Sequence, residues 1–123
     1  MNMPPRKGGV FMVKDRVLNM PPEDKRKPHE HRYIIIVSGN AANEDKDWPV
    51  VLAVPTSTSS ELATEYCLPL DKGTGNLPKR CWARVTLIQP VGKADLGHYV
   101  GRLLAMQVEL LEQNLLAYMG SVD

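Results

Sequence analysis

An unbroken apolar run at residues 33–37, Tyr-Ile-Ile-Ile-Val, is the feature that most restricts how this chain can fold. Such a run has no polar face to leave in water, so it predicts a strand that is covered on both sides. A second apolar run occupies residues 49–54 and is followed by Pro55 and by hydroxyl side chains at 56–60, where we expect this strand to end. The chain therefore predicts a sheet built around two central strands.

Shorter patterns predict further strands beside this pair and one helix after them. Strand-like segments lie at residues 10–13, 65–70 and 81–88, and a polar connection containing prolines runs from 16 to 28. Near the end, apolar residues recur at alternating steps of four and three and are followed by Gly120; they are Leu104, Val108, Leu111, Leu115 and Tyr118. This spacing predicts a helix whose apolar face belongs to the core or to a dimer seam. The 123 residues suffice for one domain. We expect a mainly β fold with a C-terminal helix, a small barrel, preceded by a flexible N-terminus at 1–7.

Imidazole and charged side chains gather where the first central strand begins. His29, His31 and Arg32 stand directly before the apolar run. Imidazole gives and takes protons near neutral pH and guanidinium binds phosphate, a combination that can cleave a phosphodiester. The alternative interpretation is a solvated loop that keeps a strand end soluble. Basic residues form two clusters that would make one anion site if the fold joined them: Lys25, Arg26, Lys27 and Arg32 in the first, and Lys79, Arg80 and Arg84 in the second.

Several other classes of protein are disfavoured by the sequence. The formal net charge is +1, so there is no general cationic coat. The first residues lack the apolar core of a signal peptide and no later stretch resembles a membrane span, so we expect a cytoplasmic protein. Cys67 and Cys81 are the only cysteines and lack CxxC spacing, which predicts reduced, buried thiols. No Gly-rich phosphate loop, Ser-nucleophile elbow or HExxH helix is present, and we expect neither a metal nor a cofactor.

Five short motifs, in order along the chain, resemble the MazF/PemK family, the ribonuclease half of bacterial toxin–antitoxin pairs. The resemblance covers about residues 8–118. The motifs are Gly8-Gly9-Val10-Phe11, Arg32-Tyr33-Ile34-Ile35-Ile36-Val37-Ser38, Val54-Pro55-Thr56-Ser57-Thr58, Trp82-Ala83-Arg84-Val85, and the pair Val91-Gly92-Lys93-Ala94-Asp95-Leu96 and Val100-Gly101-Arg102-Leu103.

The resemblance implies an SH3-like barrel that forms a homodimer and cuts single-stranded RNA without a metal. It implies that Arg32 and Arg84 clamp the phosphate and that Ser57 hydrogen-bonds the substrate. We assign His29 or His31 as the proton carrier. Further RNA contacts are expected from Lys25, Arg26, Lys27, Thr56, Thr58, Lys79 and Arg80. A cognate antitoxin is implied as partner, with an acidic disordered tail that the basic segment 25–32 could attract.

The chain departs from the family where Thr86-Leu87-Ile88-Gln89 replaces a common Asp-Gln-Ile-Arg. Two other functions therefore stay open. One is a catalytically silent nucleic-acid-binding barrel, in which the basic clusters bind phosphates. The other is a CcdB-like toxin that grips DNA gyrase, although the C-terminal Ser121-Val122-Asp123 offers little for that function.

Overall fold

The computed structural model describes residues 3–21, 29–61 and 63–121. Seven strands form one sheet within these segments: β1 (Gly9–Lys14), β2 (His31–Ile36), β3 (Val50–Ser57), β4 (Leu68–Leu70), β5 (Cys81–Ala83), β6 (Gln89–Gly92) and β7 (Tyr99–Arg102). Two α-helices are present in the same segments, α1 (Asn40–Glu44) and α2 (Ala105–Tyr118). No helix in these segments is both long enough and apolar enough to cross a membrane. The mainly β fold with a C-terminal helix is therefore confirmed.

The sheet has the order β4-β5-β3-β2-β1-β7, and β6 also pairs with β3. One edge of β3 pairs with β2, whereas the other edge pairs first with β6 and then with β5. Pro55 lies at the junction between these last two partners. The Pro55 carbonyl accepts the N–H of Arg84 at 2.8 Å. Because the carbonyl and nitrogen of a strand residue face the same edge, the proline nitrogen faces the gap between β6 and β5, where its missing N–H removes no hydrogen bond of the sheet. The strand therefore continues to Ser57, and the prediction that it ends at Pro55 is wrong.

Each face of the sheet buries its own apolar cluster. Ile35 packs with Val10 and Val54 on one face, and Ile34 and Ile36 join the cluster on the other face. All three isoleucines are 0% exposed, and each such burial contributes roughly 1.5–3 kcal/mol of transfer free energy. The prediction that the apolar run forms a central strand covered on both sides is therefore confirmed.

Helix α2 covers the first of these clusters. The N–H of Leu104 donates to Oε1 of Gln107 at 2.8 Å and caps the start of the helix. Gly120 has a φ of +77° and ends it, with the N–H of Ser121 returning to the carbonyl of Leu116 at 2.9 Å. Leu111 is 2% exposed and belongs to the core. The predicted apolar stripe is thus core at its centre, but its two ends are in solvent, with Leu104 66% and Tyr118 48% exposed.

Two predicted strands are shorter than the sequence patterns indicate. The segment 65–70 forms a strand only at Leu68–Leu70. The segment 81–88 is not one strand, because β5 ends at Ala83 and Val85–Leu87 forms a 3-10 turn before β6 begins. This turn moves the chain along the edge of β3 from one pairing to the next. Both cysteines are free and buried, as predicted.

Candidate functional site

A cleft opens where β2 begins, β3 ends and β5 begins. These three points meet because β3 runs antiparallel to both of its neighbours. The cleft has a volume of about 260 Å³. Its lining residues are His29, His31, Arg32, Tyr33, Thr56, Ser57, Thr58, Leu77, Pro78, Lys79 and Cys81. Four of the five predicted catalytic residues and three of the predicted RNA contacts, Thr56, Thr58 and Lys79, therefore lie in one place.

Arg32 is held in the cleft wall by a buried ion pair. Its Nε donates to Oδ1 of Asp15, and the two side chains are only 8% and 9% exposed. A second guanidinium nitrogen donates to the carbonyl of Thr56 at 3.3 Å. The other carboxylate oxygen of Asp15 accepts the backbone N–H of His29 at 3.4 Å. Asp15 therefore fixes Arg32 and also positions the backbone that carries the first histidine.

The two histidines of the cleft are solvent-exposed. His29 precedes β2, and His31 is its first residue. Exposure allows both imidazoles to exchange protons with a ligand and with water. The sequence prediction that they stand at the mouth of a rigid strand is confirmed.

The three hydroxyl residues at the end of β3 have different roles. Thr56 is buried, and its hydroxyl donates to the carbonyl of Tyr33 at 2.8 Å, so it stabilises the β2–β3 pair. Ser57 Oγ accepts the N–H of Ser59 at 3.2 Å, which forms the turn at the strand end. This bond uses a lone pair, so the Ser57 O–H can still be donated to a ligand. Thr58 is exposed at the rim.

Among the described residues, the two predicted basic clusters meet at Arg32 and Lys79. Lys79 is exposed and shares the cleft with Arg32. Arg80 does not line the cleft, and its guanidinium lies 5.9 Å from the ring centroid of Trp82. Arg84 directly follows the end of β5, is 5% exposed and also lies outside the lining. The cleft lining thus contains Arg32 but not Arg84, and the Arg32–Arg84 clamp stays a prediction. Lys25, Arg26 and Lys27 lie outside the described residues.

Several cleft residues were not predicted from the sequence. Tyr33 and Cys81 line the cleft from β2 and β5. Burial raises the pKa of the Cys81 thiol, and a side-chain hydrogen bond with Thr56 opposes this in part. Asp15 follows the end of β1 and pairs with Arg32 of β2, a contact between segments distant in sequence that the sequence alone does not reveal. Within residues 3–21, 29–61 and 63–121, no three His, Cys, Asp or Glu residues are grouped as a metal site.

Comparison with known proteins gives a family and a set of similar folds. A family model described as PemK-like, MazF-like toxin of type II toxin–antitoxin system matches residues 9–119. A search of curated proteins finds no match.

Three similar solved structures cover nearly the whole chain. A mycobacterial endoribonuclease in complex with its cognate antitoxin is 19% identical, with 97% of this chain and 98% of that chain covered and a TM-score of 0.71. The Mycobacterium tuberculosis toxin MazF-mt6 is 17% identical, with coverage of 94% and 98% and a TM-score of 0.70. MazE–MazF (Form-II) from Deinococcus radiodurans is 11% identical, with coverage of 97% and 98% and a TM-score of 0.70. At these identities the likeness shows a shared fold.

Proposed function

Because the chain belongs to the PemK-like, MazF-like toxins of type II toxin–antitoxin systems, we propose that it is an endoribonuclease that cleaves single-stranded RNA in this cleft without a metal ion. The observation that supports this most is the gathering of two exposed histidines, two cationic side chains and a strand-end hydroxyl in one cleft. These are the groups that attack by a ribose 2′-hydroxyl requires, and all of them are side chains of the protein.

The proposed reaction is an internal transfer of the phosphoryl group. The ribose 2′-oxygen attacks the adjacent phosphorus, and its proton passes to a general base. The P–O5′ bond breaks, and O5′ takes a proton from a general acid, which leaves a 2′,3′-cyclic phosphate and a 5′-hydroxyl. We assign the two proton transfers to His29 and His31, and each transfer contributes roughly 10²–10⁴-fold to the rate.

The negative charge that develops on the phosphoryl oxygens is stabilised by the cations of the cleft. Arg32 is fixed by Asp15 and by the Thr56 carbonyl, and a preorganised charge stabilises a transition state without reorganisation. Lys79, which lines the cleft, supplies the second charge, the role that the family resemblance assigned to Arg84. Ser57 donates its O–H to a phosphoryl oxygen.

The proposal includes partners and a location. The mycobacterial and Deinococcus relatives are described with an antitoxin, and we propose that this chain likewise binds a cognate antitoxin and acts in the cytoplasm. We also propose a homodimer. Large apolar side chains are exposed along α2 and at its ends, and a dimer would bury some of this surface; they include Leu104, Met106, Leu110, Leu116 and Met119.

A catalytically silent RNA-binding barrel is the second candidate. The pairing of Arg32 with Asp15 favours it, because a guanidinium whose Nε is already bonded offers fewer donors to a phosphate. In that case the cleft binds RNA through its charges, and the histidines contribute no proton transfer.

Substitution of the two histidines tests the assignment. His29→Gln and His31→Gln should each lower the cleavage rate by roughly 10²–10⁴-fold, while binding of an uncleavable 2′-deoxy oligonucleotide changes little. Lys46→Gln, at an exposed position outside the cleft, serves as the control with one cation fewer. A double histidine variant that cleaves at the wild-type rate would remove the assignment. A wild type that binds the oligonucleotide but yields no product from RNA would favour the silent barrel.

A further inference from the structure

A second groove lies on the other side of His31. It has a volume of about 400 Å³, and its charged or titratable lining residues are Lys14, Arg16, His31, Asp95 and His98. His31 also lines the first cleft, so this residue is the ridge between two adjoining recesses. The mechanism above uses the first recess alone.

The floor of the second groove is a rigid part of the sheet. The N–H of Met12 donates to the carbonyl of His98 at 2.9 Å, and the N–H of Gly97 donates to the carbonyl of Met12 at 2.8 Å. A Cβ at position 97 would stand 2.7 Å from the Met12 carbonyl oxygen, so glycine is needed for this close approach. Lys14 is paired directly with His31 across β1 and β2, which brings their Cβ atoms to roughly 4.5–5.5 Å. The groove is therefore preformed and adjoins the cleft.

The groove carries positive charge that the described part of the protein does not neutralise. Lys14 and Arg16 are both exposed, and neither forms an ion pair with another described residue. Asp95 is the single carboxylate of the lining. Two cations and one carboxylate leave a net positive recess even when both imidazoles are neutral, and such a recess attracts a polyanion.

We infer that this groove binds the RNA that flanks the cleaved phosphate, with Lys14 and Arg16 contacting phosphates of neighbouring nucleotides. The inference rests on the proposed function, because the RNA strand must leave the cleft, and among the described residues His31 lines both the cleft and the groove. It extends the site from one scissile phosphate to several nucleotides. Single-stranded RNA is favoured over an acidic peptide because the groove continues the substrate cleft, with His31 lining both recesses.

The test uses a double variant and a control of equal charge. Lys14→Gln/Arg16→Gln removes two cations from the groove, and Lys46→Gln/Lys72→Gln removes two exposed cations that line neither recess. Both variants lower the formal net charge of +1 by two. Any loss of RNA affinity that comes from net charge alone should therefore be the same in the two variants. Binding is measured by fluorescence anisotropy with uncleavable 2′-deoxy oligonucleotides of about four and about twelve nucleotides, a range that brackets known single-strand site sizes.

The groove variant should bind the longer oligonucleotide about tenfold more weakly than wild type at low salt, and its slope of log K against log salt should fall by about 1.4, the value for two lost phosphate contacts on a single strand. Binding of the shorter oligonucleotide should change less than about twofold, and the control should match wild type. Equal losses for both lengths, or no loss, would overturn the inference. So would a groove variant that loses affinity only for an acidic peptide, which would assign the groove to a protein partner. A wild type that neither binds nor cleaves RNA would refute the proposed function together with the inference, whereas cleavage with an unaffected groove variant would refute the inference alone.

Discussion

Removal of the Asp15 carboxylate should destabilise the protein far more than loss of a surface ion pair. Asp15 and Arg32 have side chains that are 9% and 8% exposed. The variant Asp15→Ala leaves the guanidinium buried without the carboxylate that accepts its Nε–H. Breaking a buried pair by removing one partner costs about 3–5 kcal/mol, because the remaining charge stays out of water and no longer faces the opposite charge. This is a large share of the roughly 5–15 kcal/mol that stabilises a domain of this kind.

The chain offers a matched control in the exposed pair of Arg6 and Glu44, whose side chains are each 55% exposed. Glu44→Ala should cost about 0–1 kcal/mol, since water screens this pair and solvates each partner. Both values come from urea unfolding, in which the midpoint shifts and the slope with denaturant stays constant.

A double variant separates the ion pair from general damage to the fold. Asp15→Ala/Arg32→Met removes both charges and should be clearly more stable than the sum of the two single losses predicts, because no unpaired charge stays buried. If Asp15→Ala costs no more than Glu44→Ala, or if the two single losses add without coupling, the buried pair does not anchor the cleft wall in the way described.

Three further predictions concern stability and use the same unfolding assay. Burial raises the pKa of the Cys81 thiol above its usual 9.0, so the stability that the neutral thiol contributes should be complete below about pH 9 and should decline as pH rises through the folded-state pKa. The difference in unfolding free energy between wild type and Cys81→Ala should therefore shrink as pH rises through that range. A difference that stays constant with pH would contradict this prediction. Gly101→Ala places a Cβ 2.5 Å from a backbone oxygen of the facing loop and should lower the free energy of unfolding by about 1–3 kcal/mol. The Cβ of Gly39→Ala meets nothing within 4 Å, so this variant should change stability little. Equal effects would show that the backbone near Gly101 moves to make room for the Cβ. Leu111 lies in the core, and Leu111→Ala should lower the free energy of unfolding by about 2–5 kcal/mol. The exposed Leu110→Ala should lower it by about 0.5 kcal/mol or less. Similar losses for the two variants would place the dimer seam, rather than the core, on the inner face of α2.

The sequence predicted the centre of the fold well because apolar patterning is a local signal. The run at 33–37 has no polar face, which predicts a strand buried on both faces, and Ile34, Ile35 and Ile36 are fully buried. Gly120 predicted the end of α2 because glycine adopts a positive φ without strain. The prediction that β3 ends at Pro55 was wrong, because a proline ends a strand only where its missing N–H would have bonded to a neighbouring strand. Which strand faces the proline is set by the fold of the whole sheet.

The site was predicted in outline for a similar reason. His29 and Arg32 lie at the mouth of β2, and Ser57 shares the cleft with them, because antiparallel pairing brings the start of β2 beside the end of β3. Arg84 was assigned by resemblance to a phosphate clamp, but its side chain is buried outside the cleft lining. Asp15 went unassigned because its role comes from a contact across the hairpin that neither residue reveals alone.

The central claim is that this cleft cleaves RNA by 2′-hydroxyl attack, and one measurement tests it most directly. Purified protein is incubated with a long unstructured RNA in excess EDTA, and the chemical ends of any fragments are mapped, with the His29→Gln/His31→Gln variant prepared in parallel. We expect discrete cuts that carry a 2′,3′-cyclic phosphate and a 5′-hydroxyl, and we expect these cuts to be lost in the double variant. RNA that stays intact at high protein concentration, or fragments that carry a 5′-phosphate, would contradict it.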